Sequence, residues 1–145
     1  MGFHIGLGAL LLIITTAVHA SAMVLAIHGL QLTHASRWAQ RSALTRIALV
    51  SALVIIMFLA SFLESGIWAL TYMLVGALSS LEEALYFSMV TFTTLGYGDV
   101  TLNDEWRLLA SFEAANGTIM FGWTTAIIMA VVHRLYIGGE DRRFD

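Results

Sequence analysis

The chain contains no cysteine and no proline, and only 12% of its 145 residues are charged. Without cysteine there is no disulfide framework, no thiol chemistry and no cysteine-ligated metal cluster. The charged fraction is half the ~25% of an ordinary soluble domain, whose apolar share is nearer ~45–50%. Here 59% of residues are hydrophobic and the mean hydropathy is +0.82. That balance excludes a disordered protein and most soluble enzymes. A net charge of −3 with no basic stripe excludes nucleic-acid binding as a main function. The length suits one domain of ordinary size. What remains is a chain that belongs in a lipid bilayer.

Three long apolar runs carry that conclusion. The first, Ile5 to Leu30, holds 26 residues without an acid or a base, long enough to cross a hydrocarbon core of about 30 Å with some tilt. A secretory signal peptide is the competing reading. The segment before the run carries no Lys or Arg, and the run far exceeds a signal core of about 7–15 residues, so a spanning helix is expected. A second run, Ile47 to Leu78, is interrupted only by Glu64. It predicts a helix from about Leu44 to Leu74, then a short turn over 76–80. The third run, Leu108 to Ile137, is interrupted only by Glu113 and, near its end, by His133 and Arg134. Between the first two runs, Arg37 and Arg41 lie one helical turn apart beside Trp38. That pattern suits either a short helix at the membrane surface or a plain connecting loop.

Six of the seven basic residues fall on one side if the second and third spans flank a segment that does not cross. These are Arg37, Arg41 and Arg46 in the first connection and Arg134, Arg142 and Arg143 near the C-terminus. The positive-inside rule makes that side cytoplasmic and places the N-terminus outside. The region between spans two and three then enters and leaves from outside, a re-entrant element. Within it Ser80, followed three residues later by Glu83, reads as a capping box. A helix from there to about Thr93 measures roughly 20 Å, too short to span. Its C-terminus points into the membrane, where the negative end of its dipole favours a cation.

Directly after this helix comes Thr94-Leu95-Gly96-Tyr97-Gly98-Asp99. The hexapeptide resembles the selectivity filter of the potassium channels, Thr-Val-Gly-Tyr-Gly-Asp, in five positions of six, with Leu95 where valine is commonest. The approach Glu-Ala-Leu-Tyr-Phe-Ser at 83–88 and the run Glu113-Ala114-Ala115-Asn116-Gly117, with Glu64 and Trp68 upstream, are similar to a group of small bacterial pore-loop channels. The resemblance covers about Ile47 to Arg134 and leaves the first span outside it. It implies an all-α membrane protein with three transmembrane helices. A re-entrant pore helix (80–93) and filter (94–99) lie between the second and third, and a homotetramer contributes one filter strand per chain. The implied organisation is an extra span with a basic cytoplasmic connection (1–46), a pore domain (47–137, inner helix 107–137) and a short cytoplasmic tail (138–145). The implied location is the inner (plasma) membrane.

In such a filter a potassium ion exchanges its hydration shell for protein oxygens. The resemblance assigns these to the backbone of Thr94, Leu95, Gly96, Tyr97 and Gly98, with the Thr94 hydroxyl closing the inner end. Glycine at 96 and 98 tolerates the positive φ that inward carbonyls demand. Filter support falls to Asp99, Tyr86, Phe87, Val90 and Thr93, with Tyr86 as hydrogen-bond donor to Asp99. Phe87 and Phe92 either join Tyr86 and Tyr97 in an aromatic cuff or simply pack in the core. Val90 stands where some bacterial channels carry a supporting glutamate. Glu82, Glu83, Asp99, Asp104 and Glu105 set five acids against Arg107 at the outer mouth, a charge that raises local cation concentration.

Gly117, ten residues after Arg107, matches the family's gating-hinge glycine, and either bending or close packing explains it. Phe121 and Thr125, beyond it, are expected to line the inner cavity. Carboxylates inside spans are costly and mark a function or a partner. Glu113 is expected to hydrogen-bond behind the pore helix, and Glu64 to face a protein interface near the outer leaflet; both either sense protons or serve structurally. His19 and His28, nine residues apart, are read as lying on one side of the first span about 13 Å apart, too far to share a metal.

No span shows arginine every third residue, so no voltage sensor is expected, and with eight residues after Ile137 no fused calcium-sensing or nucleotide-binding domain is expected. The function expected is passive conduction of potassium, with no enzyme activity, no cofactor beyond the transported ion and no soluble partner. A weakly selective cation channel, a non-conducting regulatory subunit and a histidine-bound haem or metal protein are the alternatives.

Overall fold

The structure, a computed structural model, describes residues 2–32 and 42–136. Four helices account for most of them: α1 (Gly2–Leu32), α2 (Ala43–Leu74), α3 (Leu81–Phe92) and α4 (Arg107–Tyr136). Three of these, α1, α2 and α4, are long and apolar enough to cross a membrane, and the protein is a multi-pass membrane protein. The expected surface segment with Arg37, Trp38 and Arg41, and the tail with Arg142 and Arg143, lie outside the described residues.

The helix ends follow local chemistry. α2 stops in a Schellman motif: Gly76, at φ +71°, turns the chain, its N–H donates to the Met73 carbonyl at 3.0 Å, and the Ala77 N–H donates to the Tyr72 carbonyl at 2.8 Å. Glycine is the residue for that left-handed position. Four residues later Ser80 caps α3, its hydroxyl accepting from the Glu83 N–H at 3.1 Å. Before α4, the Asn103 carbonyl accepts from the N–H groups of Trp106 and Arg107.

α1 and α4 run in the same direction and α2 runs opposite. At one end of the bundle the rings of Phe3 and His4 meet Trp106, and Tyr72 near the end of α2 reaches Glu113 near the start of α4. At the other end Ala26, Leu53 and Met57 pack with Ile127, Ile128 and Val131, and the Arg46 guanidinium lies 5.4 Å from the centre of the Tyr136 ring. The chain therefore leaves α2 and enters α4 at one end. Between those two points α3 slants into the bundle, and its last residue, Phe92, meets Gly117, about 15 Å along α4. Trp68, Tyr72, Phe87, Phe92, Trp106, Leu109 and Met120 form the core around it.

In lipid, apolar contact alone does little to select helix partners, because the tails are as apolar as leucine; close packing and interhelical hydrogen bonds decide. The buried polar residues are Thr15, His19, Ser61, Glu64, Ser65, Ser88, Glu113 and Asn116. His19 and His28 do not share a side of α1, contrary to expectation. Nine residues are two and a half turns at roughly 3.6 residues per turn, which puts His19 and His28 on opposite faces. His19 is fully buried, and His28 is exposed.

Candidate functional site

The hexapeptide follows α3 without a break. Thr93 ends the helix, its hydroxyl donating back to the Met89 carbonyl at 2.7 Å. The N–H of Thr94 then donates to the Thr91 carbonyl at 2.9 Å, and those of Leu95 and Gly96 donate to the Val90 carbonyl at 2.9 and 3.3 Å. Val90 thus serves the loop through its backbone. Positive φ occurs at every second residue: Thr94 (+60°), Gly96 (+56°) and Gly98 (+78°). At a β-branched residue such a conformation is a genuine outlier and costs on the order of 1–3 kcal/mol. Among the described residues, no hydrogen bond is accepted by the carbonyls of 94–98. Residues 93–99 are all exposed in the single chain, Leu95 at 56% and Tyr97 at 66%.

Asp99 closes the loop. The Tyr86 hydroxyl donates to Asp99 Oδ2 at 2.6 Å, and the Val100 N–H donates to Oδ1 at 3.1 Å. The Tyr86 hydrogen bond holds the Asp99 carboxyl below its usual value, and the same bond pushes the Tyr86 phenol up. A cleft beside this pair is lined by Tyr86, Gly96, Gly98, Asp99 and Asp104. Phe87 and Phe92 are buried, edge-on to Tyr72 and Phe121 respectively, while Tyr86 and Tyr97 stay exposed. The four aromatics therefore divide into a packed pair and an exposed pair. Glu82, Asp99, Asp104 and Glu105 are exposed, and the exposed Arg107–Asp104 pair at 3.1 Å contributes little.

Behind α3, the fully buried Glu113 accepts from the Tyr72 hydroxyl at 2.7 Å through Oε2 and pairs with Ser88 through Oε1. Ser88 Oγ also lies 2.7 Å from the Ser65 carbonyl. A serine hydroxyl has one hydrogen, which either is shared between the Glu113 and Ser65 oxygens or goes to Ser65 while the Glu113 carboxyl supplies a second to Ser88 Oγ. One turn further along both helices, a Cβ on Gly117 would lie 1.8 Å from the Phe92 carbonyl oxygen. Close approach is thus the physical requirement for glycine at 117. Gly122 meets nothing within 4 Å.

Glu64 stands apart from this set. Its Oε1 lies 2.9 Å from His19 Nδ1, so the interface it faces is with the chain's own first helix; His19 Nε2 lies 3.1 Å from Thr124 Oγ1 on α4. One turn away Asn116 Nδ2 donates to Thr15 Oγ1 at 2.7 Å. Tyr72, Thr15 and Thr124 have no place in the sequence reading, and Ser88 and Asn116 enter it only as members of the 83–88 and 113–117 runs. Tyr72 had a signal, since Glu64, Trp68 and Tyr72 recur every four residues along one face of α2. Phe121 and Thr125 are exposed on the strip of α4 turned away from α1. Among the described residues, no group of three or more metal-ligating side chains occurs.

These elements describe an all-helical, multi-pass membrane protein with a strained loop, its carbonyls unpaired among the described residues, seated at the end of a short internal helix. The family model described as "Ion channel" matches residues 47–134, from α2 through α3 and the loop into α4, with α1 outside the match. The chain belongs to this ion-channel family, which is not generally enzymatic. No curated protein and no solved structure matches the chain.

Proposed function

We propose that four copies assemble around a fourfold axis, with residues 94–98 facing it as a potassium-selective filter. α3 is then a re-entrant pore helix and α4 the inner helix. The observation that carries this reading is the alternation of positive φ at Thr94, Gly96 and Gly98. Along a regular strand successive carbonyls point to opposite sides; reversing φ at every second residue cancels that alternation and turns them to one side. The N–H groups of 94–96 are bonded back to α3, so the carbonyls are left as ligands for a dehydrated cation. Irregular backbone at membrane depth survives where it lines such a path. The C-terminal end of α3 adds negative potential at the base of the loop.

Exposed Leu95 and Tyr97 suit burial against neighbouring copies. The acids around Asp99 suit an outer mouth shared with Arg107, with the N-terminus on that side and the other six arginines cytoplasmic in the inner membrane. Of the two readings of Gly117, the Phe92 carbonyl favours packing over bending.

The test is potassium flux into liposomes holding the purified protein, run beside sodium and beside Gly96→Ala, which strains φ +56°. Potassium flux well above sodium, lost in the variant, supports the reading. Equal fluxes point to a weakly selective cation channel. No flux at any pH points to a non-conducting subunit.

A further inference from the structure

The first helix lies outside the family match, yet its fully buried polar side chains are spent on the helices that belong to it. Thr15 and His19 sit one turn apart. Thr15 accepts from Asn116 on α4 at 2.7 Å and donates to its own Leu11 carbonyl at 2.8 Å. His19 bridges Glu64 on α2 and Thr124 on α4. Asn116 adjoins Gly117, whose backbone meets the Phe92 carbonyl with no side chain between them. Phe92 in turn is two residues from the first filter position. α4 is therefore held on one flank by a hydroxyl of α1 and on another by the last helical carbonyl of α3. A rigid backbone-to-backbone seat lets a shift on the first flank reach the second.

Resting on the potassium-filter reading, we infer that α1 is a positioning helix for the filter. Its Thr15–Asn116 contact sets how closely α4 seats under the end of α3, and so the potassium affinity of the loop. Removing the Thr15 hydroxyl leaves the buried Asn116 amide without its acceptor and releases the seat.

The experiment is calorimetric titration of potassium chloride into the purified full chain in sodium buffer, for the unsubstituted protein, Thr15→Val and Thr15→Ser, with thermal unfolding recorded without potassium. Thr15→Val should bind potassium about fivefold more weakly, and Thr15→Ser, which keeps the hydroxyl, should stay within about twofold of the parent. Unchanged affinity in Thr15→Val overturns the inference, even if its unfolding temperature falls, because that is a purely structural role. Equal weakening in both variants also overturns it, since the hydroxyl would not be the cause. If Thr15→Val fails to fold, Asn116→Ala removes the same contact from the α4 side, with weaker binding expected and unchanged binding refuting. A parent protein that binds no potassium overturns the filter reading itself, whereas binding by the parent that is unaltered in the variants overturns this inference alone.

Discussion

Glu113 offers the sharpest test of the buried network, because a protonated carboxyl behind α3 makes opposite predictions for two substitutions. The glutamine of Glu113→Gln can donate its amide hydrogen to Ser88 Oγ and accept from the Tyr72 hydroxyl, reproducing the contacts of a protonated carboxyl group for group. Its stability should stay within about 1 kcal/mol of the parent, in line with the small worth of interhelical hydrogen bonds in membranes. Glu113→Ala removes the acceptor of a buried phenol, a loss of about 1–3 kcal/mol. It also empties roughly 50 Å³, which at about 24 cal/mol per Å³ adds about 1 kcal/mol. The expected total is about 2–4 kcal/mol, since Ser88 keeps Ser65 as a partner. Thermal unfolding of the purified protein in detergent measures both variants, and potassium flux checks that Glu113→Gln still conducts with the parental pH profile. If Glu113→Gln loses as much as Glu113→Ala, the carboxyl is ionised in place, and the structural role built on a protonated carboxyl is wrong.

Four further outcomes can be checked with the same preparations. His19→Ala removes the hydrogen-bond partner of the buried Glu64 carboxyl, whose other oxygen, Oε2, has no partner among the described residues; a loss of about 1–3 kcal/mol is expected on thermal unfolding. Gly117→Ala should prevent native assembly on size-exclusion chromatography, because backbone must move by more than an ångström to admit the Cβ. Gly122→Ala, with open space around it, should be neutral or stabilising by up to about 1 kcal/mol. The Tyr86–Asp99 contact should be insensitive to pH across the neutral range. Asp99, lowered from 3.8, keeps its stabilising contribution above that value and loses it only as pH falls through the lower folded value. Tyr86, raised from 10.0, keeps its contribution below that value and loses it only as pH rises through the higher folded one. A change in potassium-over-sodium flux between pH 6 and 8 that Asp99→Asn abolishes would contradict this.

What could be read in advance follows physical range. Spans declare themselves through unbroken apolar runs, and Gly76 and Ser80 mark their turn and cap through chemistry confined to a few neighbours, so the four helices fall within a few residues of expectation. The loop was legible as a motif, but the left-handed Thr94 was not, since a β-branched residue advertises the opposite preference. Contacts across the bundle were hardest. Nothing local in an apolar run tells His19 that its partner is Glu64, 45 positions on, or Thr15 that Asn116 awaits it. Gly117 shows the same limit: a glycine in a helix announces that a side chain is unwelcome, and only the opposing Phe92 carbonyl says why.

At 31, 32 and 30 residues, α1, α2 and α4 measure about 46, 48 and 45 Å, against a hydrocarbon core of about 30 Å. Each must lean or project beyond it. Thr15 and His19 tie α1 to α4 at two levels, so the two lean as one body. Thinner lipids should therefore tip α1 and α4 together.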